Sequence, residues 1–290
     1  MMYDTILNMI QTALKRYSFD GDRTLEYIGI TVEKNSPIVC KIYRANKNHF
    51  SIENTNLPSV IKEFHKRKIS QYTSLRFLDC SVRKNSLDEM NYSLSYNVCG
   101  NDEVKKEFLS SFHFGDISRT IQSVFSIDGN PFFQIAYLLD EYGNELEKKF
   151  YYTLNVLSGK FVKANEKKQY IIDNYKRIES FCSNLFLEEN RPVICNILQQ
   201  SLTRGYRPFL LGFNVKENYI ENKLYFINDE FSWDNLVSSA TLFLKSVNLY
   251  EKILSIIQFC YKKNLFIKGY AVSFYQNQIR WRFYLQAKNY

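Results

Sequence analysis

Glycine, proline and histidine are scarce in this chain, and their positions exclude several chemistries. Ten glycines are scattered over 290 residues. They form neither the G-x-G-x-x-G nor the G-x-x-x-x-G-K-[ST] loop that wraps a nucleotide phosphate. The three histidines, His49, His65 and His113, stand at no metal-ligand spacing from one another or from a cysteine, so no zinc site is expected. No G-x-S-x-G elbow occurs. The acidic stretches "LLDEYGNELE" and "INDEF" lack the spacing of an aspartate-rich metal box. Six cysteines, Cys40, Cys80, Cys99, Cys182, Cys195 and Cys260, include no C-x-x-C pair and fit buried thiols in a reducing compartment. No apolar run is long enough to span a membrane, and the opening "MMYDTILNMIQTALKRYSF" is too polar for a signal peptide. A cytoplasmic chain with no membrane partner is the expectation.

What is present is globular: 45% hydrophobic residues and 23% charged ones. With no composition break or linker, residues 1–290 read as one domain. The formal charge of +8 points to an anionic partner. The charge is spread along the chain. Its densest run, "HKRK" at His65 to Lys68, reads as a solvated helix end favoured by the helix dipole. Aromatics are abundant, at 16%, so a pattern in their placement means more than their number.

That pattern is a repeat. Five segments alternate with period two around a polar turn: "LEYIGITVEKNSPIVCKIYRA", "LRFLDCSVRKNSLDEMNYSLSYNV", "QIAYLLDEYGNELEKKFYYTLN", "FLLGFNVKENYIENKLYFIND" and "FIKGYAVSFYQNQIRWRFYLQ". Asn35-Ser36-Pro37, Lys84-Asn85-Ser86, Tyr142-Gly143-Asn144, Glu217-Asn218 and Gln276-Asn277 supply the turns. Helical patterns at 3–17, 57–68, 102–112, 117–125, 166–187, 192–204, 233–247 and 250–263 fill the intervals. Five hairpins make an α+β fold of about ten antiparallel strands. They can form an open sheet with helices on one face, or a closed β-barrel ringed by α-helices. Closure is favoured because it removes the exposed edges of so long a sheet.

The second strands share a motif. They carry Lys41-Ile42-Tyr43, Lys149-Phe150-Tyr151, Lys223-Leu224-Tyr225 and Arg280-Trp281-Arg282-Phe283-Tyr284. Spacing of two puts each basic group and its tyrosine on one face. Ile42, Phe150, Leu224, Trp281 and Phe283 then face the helices. In a closed sheet the basic groups and phenols line the lumen. Lys, Arg and the Tyr hydroxyl donate to phosphate oxygens, and Tyr faces stabilise cations. An allylic diphosphate that ionises into diphosphate and carbocation uses both. The second repeat departs from this: "MNYSLSYNV" offers Asn91, Ser93 and Ser95 on one face and Tyr92, Leu94 and Tyr96 on the other.

The five hairpin-helix repeats with Lys/Arg-x-Tyr on their second strands resemble the ABBA aromatic prenyltransferases, whose ten-stranded barrel is ringed by helices. "TLEYIGITVEKNSPIVCKIYR" and "LLGFNVKENYIENKLYF" look closest to the first and fourth repeats of the cyanobactin peptide prenyltransferases. The resemblance implies a PT barrel that moves a dimethylallyl group from its diphosphate to an electron-rich side chain of a ribosomal cyclic peptide. It assigns the diphosphate and isoprenyl contacts to Lys41, Tyr43, Lys149, Tyr151, Lys223, Tyr225, Arg280, Arg282 and Tyr284. It assigns contact with the acceptor and its proton to Glu26. No cofactor is required by the sequence. Magnesium bridging the diphosphate is known in some relatives of the family, and a monomer is expected.

Three rivals remain at this stage. One is a prenyltransferase acting on a small indole or phenol. Another is a non-enzymatic protein that binds single-stranded nucleic acid through basic strands and stacked aromatics; it requires those residues on an exposed sheet face. The last is a degenerate barrel retained as a binding scaffold, for which the quiet second repeat is the hint.

Overall fold

Five hairpins, each strand long enough to pair on both sides, build one closed wall. The computed structural model describes residues 2–16, 25–33, 36–45, 52–68, 73–83, 86–98, 133–153, 188–203, 206–216, 219–228, 250–275 and 278–287. The strands are β1 (Leu25–Val32), β2 (Val39–Ala45), β3 (Thr73–Arg83), β4 (Ser86–Val98), β5 (Phe133–Leu139), β6 (Glu145–Thr153), β7 (Tyr206–Lys216), β8 (Tyr219–Asn228), β9 (Leu265–Tyr275) and β10 (Gln278–Ala287). Each is antiparallel to its neighbours in chain order, and β1 pairs with β10 to close the barrel. Closure leaves no strand edge open to another chain.

Within each hairpin the two strands pair antiparallel. The β5–β6 turn shows how the local sequence fixes such a reversal. Asp140 Oδ1 accepts from the Tyr142 and Asn144 amides at 2.9 and 2.8 Å, and Oδ2 accepts from Asn144 Nδ2 at 2.8 Å. Gly143 takes φ +83°, which L side chains resist. This is an Asx-type turn, the role expected of Asp in such a stretch.

Four described α-helices are α1 (Met2–Arg16), α2 (Ser59–Lys68), α3 (Arg191–Thr203) and α4 (Tyr250–Lys262). They match the expected segments within two residues. Pro192 sits in the first turn of α3, where its missing N–H costs nothing. Past α4, Asn264 adopts φ +52° and its amide bonds to the Tyr261 carbonyl, ending the helix in left-handed geometry. The expected helices at 102–112, 117–125, 166–187 and 233–247 lie outside the described residues, as do Cys99 and Cys182.

The apolar core lies between the barrel wall and these helices. Ile6, Met9 and Ile10 of α1, Ile61 and Phe64 of α2, Ile194, Ile197 and Leu198 of α3, and Ile253, Ile256 and Phe259 of α4 pack against one face of the strands. That face carries Ile42, Phe150, Leu224, Trp281 and Phe283, all buried, as the alternation requires. The opposite face is turned into the lumen. No helix among the described residues is long and apolar enough to cross a membrane. Cys40, Cys80, Cys195 and Cys260 are not joined in disulfides, and burial pushes Cys260 up to about 12.

Candidate active site in the barrel lumen

Alternate residues of the second strands stack in layers along the barrel axis. Moving away from the hairpin turns, β6 presents Glu147, Lys149 and Tyr151, and β8 presents Glu221, Lys223 and Tyr225. β10 presents Arg280, Arg282 and Tyr284, and β2 presents Lys41 and Tyr43. Strand registers bring these columns side by side: Lys149 faces Asn214 of β7, Lys223 faces Ser273 of β9, and Arg282 faces Thr31 of β1. Lys41, Lys149 and Lys223 are only 5%, 3% and 4% exposed. The basic strands therefore do not form the exposed face that single-strand nucleic-acid binding requires.

The tyrosines form the layer toward the crossover end. Tyr284 lies 5.5 Å from Tyr43 and 6.1 Å from Tyr225, and Tyr225 lies 5.8 Å from Tyr151, centroid to centroid. Tyr27 of β1 joins at 6.3 Å from Tyr284; the second-strand pattern gave no sign of it, because it sits on a first strand. Two glycines make room for these rings. A Cβ at Gly29 would stand 2.7 Å from Tyr43 Cε2, and one at Gly212 would stand 2.9 Å from Tyr225 Cε2 and 3.3 Å from Tyr151 Cδ1. The rings can lie against the wall because the wall has no side chain there. Burial raises Tyr225 well above the ordinary phenol range, so it stays a neutral donor.

Below the tyrosines stand the cations. Arg282 donates from Nε to Thr31 Oγ1 at 2.8 Å, and its Nη1 lies 3.5 Å from the Tyr43 hydroxyl. Lys149 and Lys223 share this depth. Neither is solvated, so each needs a counter-charge. Lys149 pairs with Glu147 at 3.4 Å and Lys223 with Glu221 at 3.3 Å.

The carboxylates Glu33, Glu147 and Glu221 are functional-site residues that sequence reasoning missed. For Glu147 and Glu221 the signal was available as Glu-x-Lys-x-Tyr on β6 and β8; Glu33 carries no such signal. Arg280 belongs to this lowest layer. Its Nη2 lies 3.2 Å from Glu33 Oε2 and its Nη1 3.1 Å from Glu221 Oε1, so it braces β1 against β8 near the hairpin end. Glu221 is 1% exposed. Besides these cations it accepts from Ser273 Oγ at 2.5 Å and from Asn214 Nδ2 at 2.8 Å. Burial alone would raise its carboxyl; Lys223 and Arg280 overcome that and hold it at about 2. Burial pulls Lys223 down to about 7, with Glu221 opposing the fall.

Two expected features behave differently. Glu26 lies in β1 where the register with β2 shifts between Leu25 and Tyr27, so the simple alternation that assigns faces is interrupted there. In the second repeat, Ser93 and Ser95 supply small groups on the lumen side, while Tyr92, Leu94 and Tyr96 join the core. Tyr96 stacks on His65 of α2 at 5.8 Å, its hydroxyl 3.0 Å from Nδ1. The "HKRK" run is thus only partly a solvated helix end. Lys66 and Arg67 are exposed, but Lys68 sits 4.6 Å over the Tyr137 ring.

No protein-family model matches the sequence, and no curated protein sequence does. The fold does match solved structures. One is AnaPT from Neosartorya fischeri, with a TM-score of 0.57 and 9% sequence identity; the match covers 91% of this chain and 78% of AnaPT. At that identity the likeness concerns the fold, a closed ten-stranded antiparallel barrel with helices outside.

Proposed function

We propose that the lumen binds an isoprenyl diphosphate, the dimethylallyl ester first, and transfers its prenyl group to an electron-rich side chain of a ribosomal cyclic peptide. The observation that carries this is the layering. A layer of cations and a layer of tyrosines lie on adjacent levels of the lumen, where the leaving diphosphate and the allylic carbocation need opposite stabilisation. Lys41, Lys149, Lys223 and Arg282 neutralise charge that grows on the diphosphate as the carbon–oxygen bond breaks. Tyr43, Tyr151, Tyr225 and Tyr284 turn π-faces to the cation and keep out the water that would capture it. The acceptor attacks from the crossover end, and Glu26, at the β1 terminus on that side, takes its proton.

The barrel shared with AnaPT supports the same donor chemistry with a different acceptor, since AnaPT is an aromatic prenyltransferase. A small indole or phenol is the second reading. Among the described residues no three His, Cys, Asp or Glu side chains are grouped to hold a metal. The lumen carboxylates Glu147 and Glu221 are engaged in ion pairs with Lys149, Lys223 and Arg280.

The test is incubation of the full chain with dimethylallyl diphosphate and, separately, cyclic peptides, indoles and phenols, with product mass as the readout. Arg282→Ala removes charge-assisted contacts and is expected to weaken donor binding roughly 10- to 100-fold. Absence of binding by any isoprenyl diphosphate at millimolar concentration refutes the proposal. Products from peptides alone, or from small aromatics alone, decide between the two acceptors.

A further inference from the structure

Glu221 occupies a place that the donor chemistry does not itself demand. A carboxylate next to an anion site is repulsive, yet this one is nearly solvent-free and sits within 3.3 Å of two cations. It is also fully engaged. Oε1 receives Arg280 and Ser273, and Oε2 receives Lys223 and Asn214. Such a node is built to hold its partners in one arrangement.

We infer that Glu221 is a positioning residue of the diphosphate site: its carboxylate supports the ammonium form of Lys223 and fixes Arg280 across the hairpin end before the donor arrives. The inference rests on the prenyl-transfer reading. A buried lysine loses its proton unless a counter-charge stands beside it. The charged groups facing Lys223 are Glu221 on its own strand, Glu147 and Lys149 from β6, and Arg282 from β10. Lys149 and Arg282 repel the ammonium, and Glu147 is already paired with Lys149. From β7 and β9 the neighbours are Gly212 and Ser273, both uncharged. Glu221 is therefore the main support for the charge. Without it, Lys223 gives up its proton at lower pH than in the wild type, and a diphosphate must then bring a proton with it to bind.

Glu221→Gln tests this with little change of shape. The Asn214 Oδ1 atom is buried and has no hydrogen-bond partner, so an amide flip at Asn214 would accept from the new Gln N–H. The probe is dimethylallyl thiolodiphosphate, a donor analogue that does not ionise. Its affinity and proton uptake are measured by titration calorimetry on the full chain, in buffers of different ionisation enthalpy. With the wild type, binding weakens by at most tenfold per pH unit above about pH 7, the limit for one coupled proton.

With Glu221→Gln, affinity at about pH 6.5, where wild-type Lys223 is still mostly protonated, falls about tenfold and close to one proton is taken up per ligand, well above the wild-type uptake. Glu221→Asp recovers much of the loss. Adding Lys223→Arg, whose guanidinium stays charged when buried, removes both the pH slope and the proton uptake. Wild-type affinity and proton uptake in Glu221→Gln overturn the inference, as does a slope that survives Lys223→Arg. Should Glu221→Gln fail to fold, Glu221→Asp decides: the shorter side chain loosens the ion pair, so a pH slope that sets in at lower pH than in the wild type supports the role and an unchanged onset overturns it. A wild type that binds no analogue sinks the diphosphate reading itself, and the role of Glu221 with it.

Discussion

Replacing Gly269 with alanine should destabilise the barrel, although glycine in a strand is ordinarily the weaker residue. Gly269 lies on β9, opposite Ile227 of β8 and Tyr284 of β10. Next to it the β9–β10 register slips: Tyr284 faces Gly269 but Leu285 faces Ile267, which leaves Lys268 as an extra residue. A bulge of this kind bends the strand. Here the backbone at 269 also runs close against β8. A methyl at 269 would sit 2.2 Å from the Phe226 carbonyl oxygen and 3.3 Å from Ile227 Cα. Close carbon–oxygen contacts between strands run at about 3.3 Å or more, so β8 and β9 would have to part by roughly 1 Å. That takes neighbouring ladder bonds out of their working range.

Overpacking of this sort costs about 1–3 kcal/mol, and the obstacle is backbone rather than a side chain that can swing away. Removing a glycine from the unfolded chain works the other way, by about 0.4–1 kcal/mol. A net loss of about 1 kcal/mol lowers Tm by about 2–4 °C. Circular-dichroism melts and urea unfolding of wild type and Gly269→Ala measure it. The sign is decisive. A Tm equal to or above that of the wild type means that no close approach exists at this position.

Two further outcomes follow from the lumen. Folded Lys223 titrates near 7 and the unfolded lysine at its ordinary value of about 10.4. Between them the unfolded chain holds the extra proton, so stability rises with pH through this window. The contribution is at most about 1.4 kcal/mol per pH unit, seen as a rising urea midpoint from pH 7 to about 9 that Lys223→Met abolishes; an unchanged rise in that variant contradicts it. Gly212→Ala should push Tyr225 and Tyr151 toward the lumen axis and weaken binding of dimethylallyl thiolodiphosphate about tenfold or more, with Tm nearly unchanged; undiminished affinity would show that the rings do not rest on that glycine.

The barrel was legible because each hairpin carries its own evidence: period-two alternation, a turn with Asn, Asp or Gly, and an apolar face that needs helices. What was less legible was extent. β3 begins at Thr73 and β7 at Tyr206, two or three residues ahead of the alternating stretches that announced them. Closure gives each strand partners on both sides, so the ladder runs on into residues whose own pattern is weak. The same dependence on partners explains why the lumen carboxylates drew no assignment from the sequence. Glu147 and Glu221 are on the lumen face by simple alternation, yet close to a turn they look like solvent groups, because nothing in one strand says that its end is enclosed.

Arg280 sharpens the point. By spacing alone it is one more cation of the diphosphate set, two residues from Arg282. The register of β1 against β10 places Glu33 beside it, and the path across β9 brings Glu221 to its other side. The Glu33 contact exists only because β1 closes on β10, and together the two make Arg280 a brace between β1 and β8. Arg282, one alternation further along β10, meets Thr31 and Tyr43 and no carboxylate at ion-pair distance among the described residues. Two arginines with identical local signatures thus hold different positions relative to the donor, and the difference is written in strand register rather than in sequence spacing.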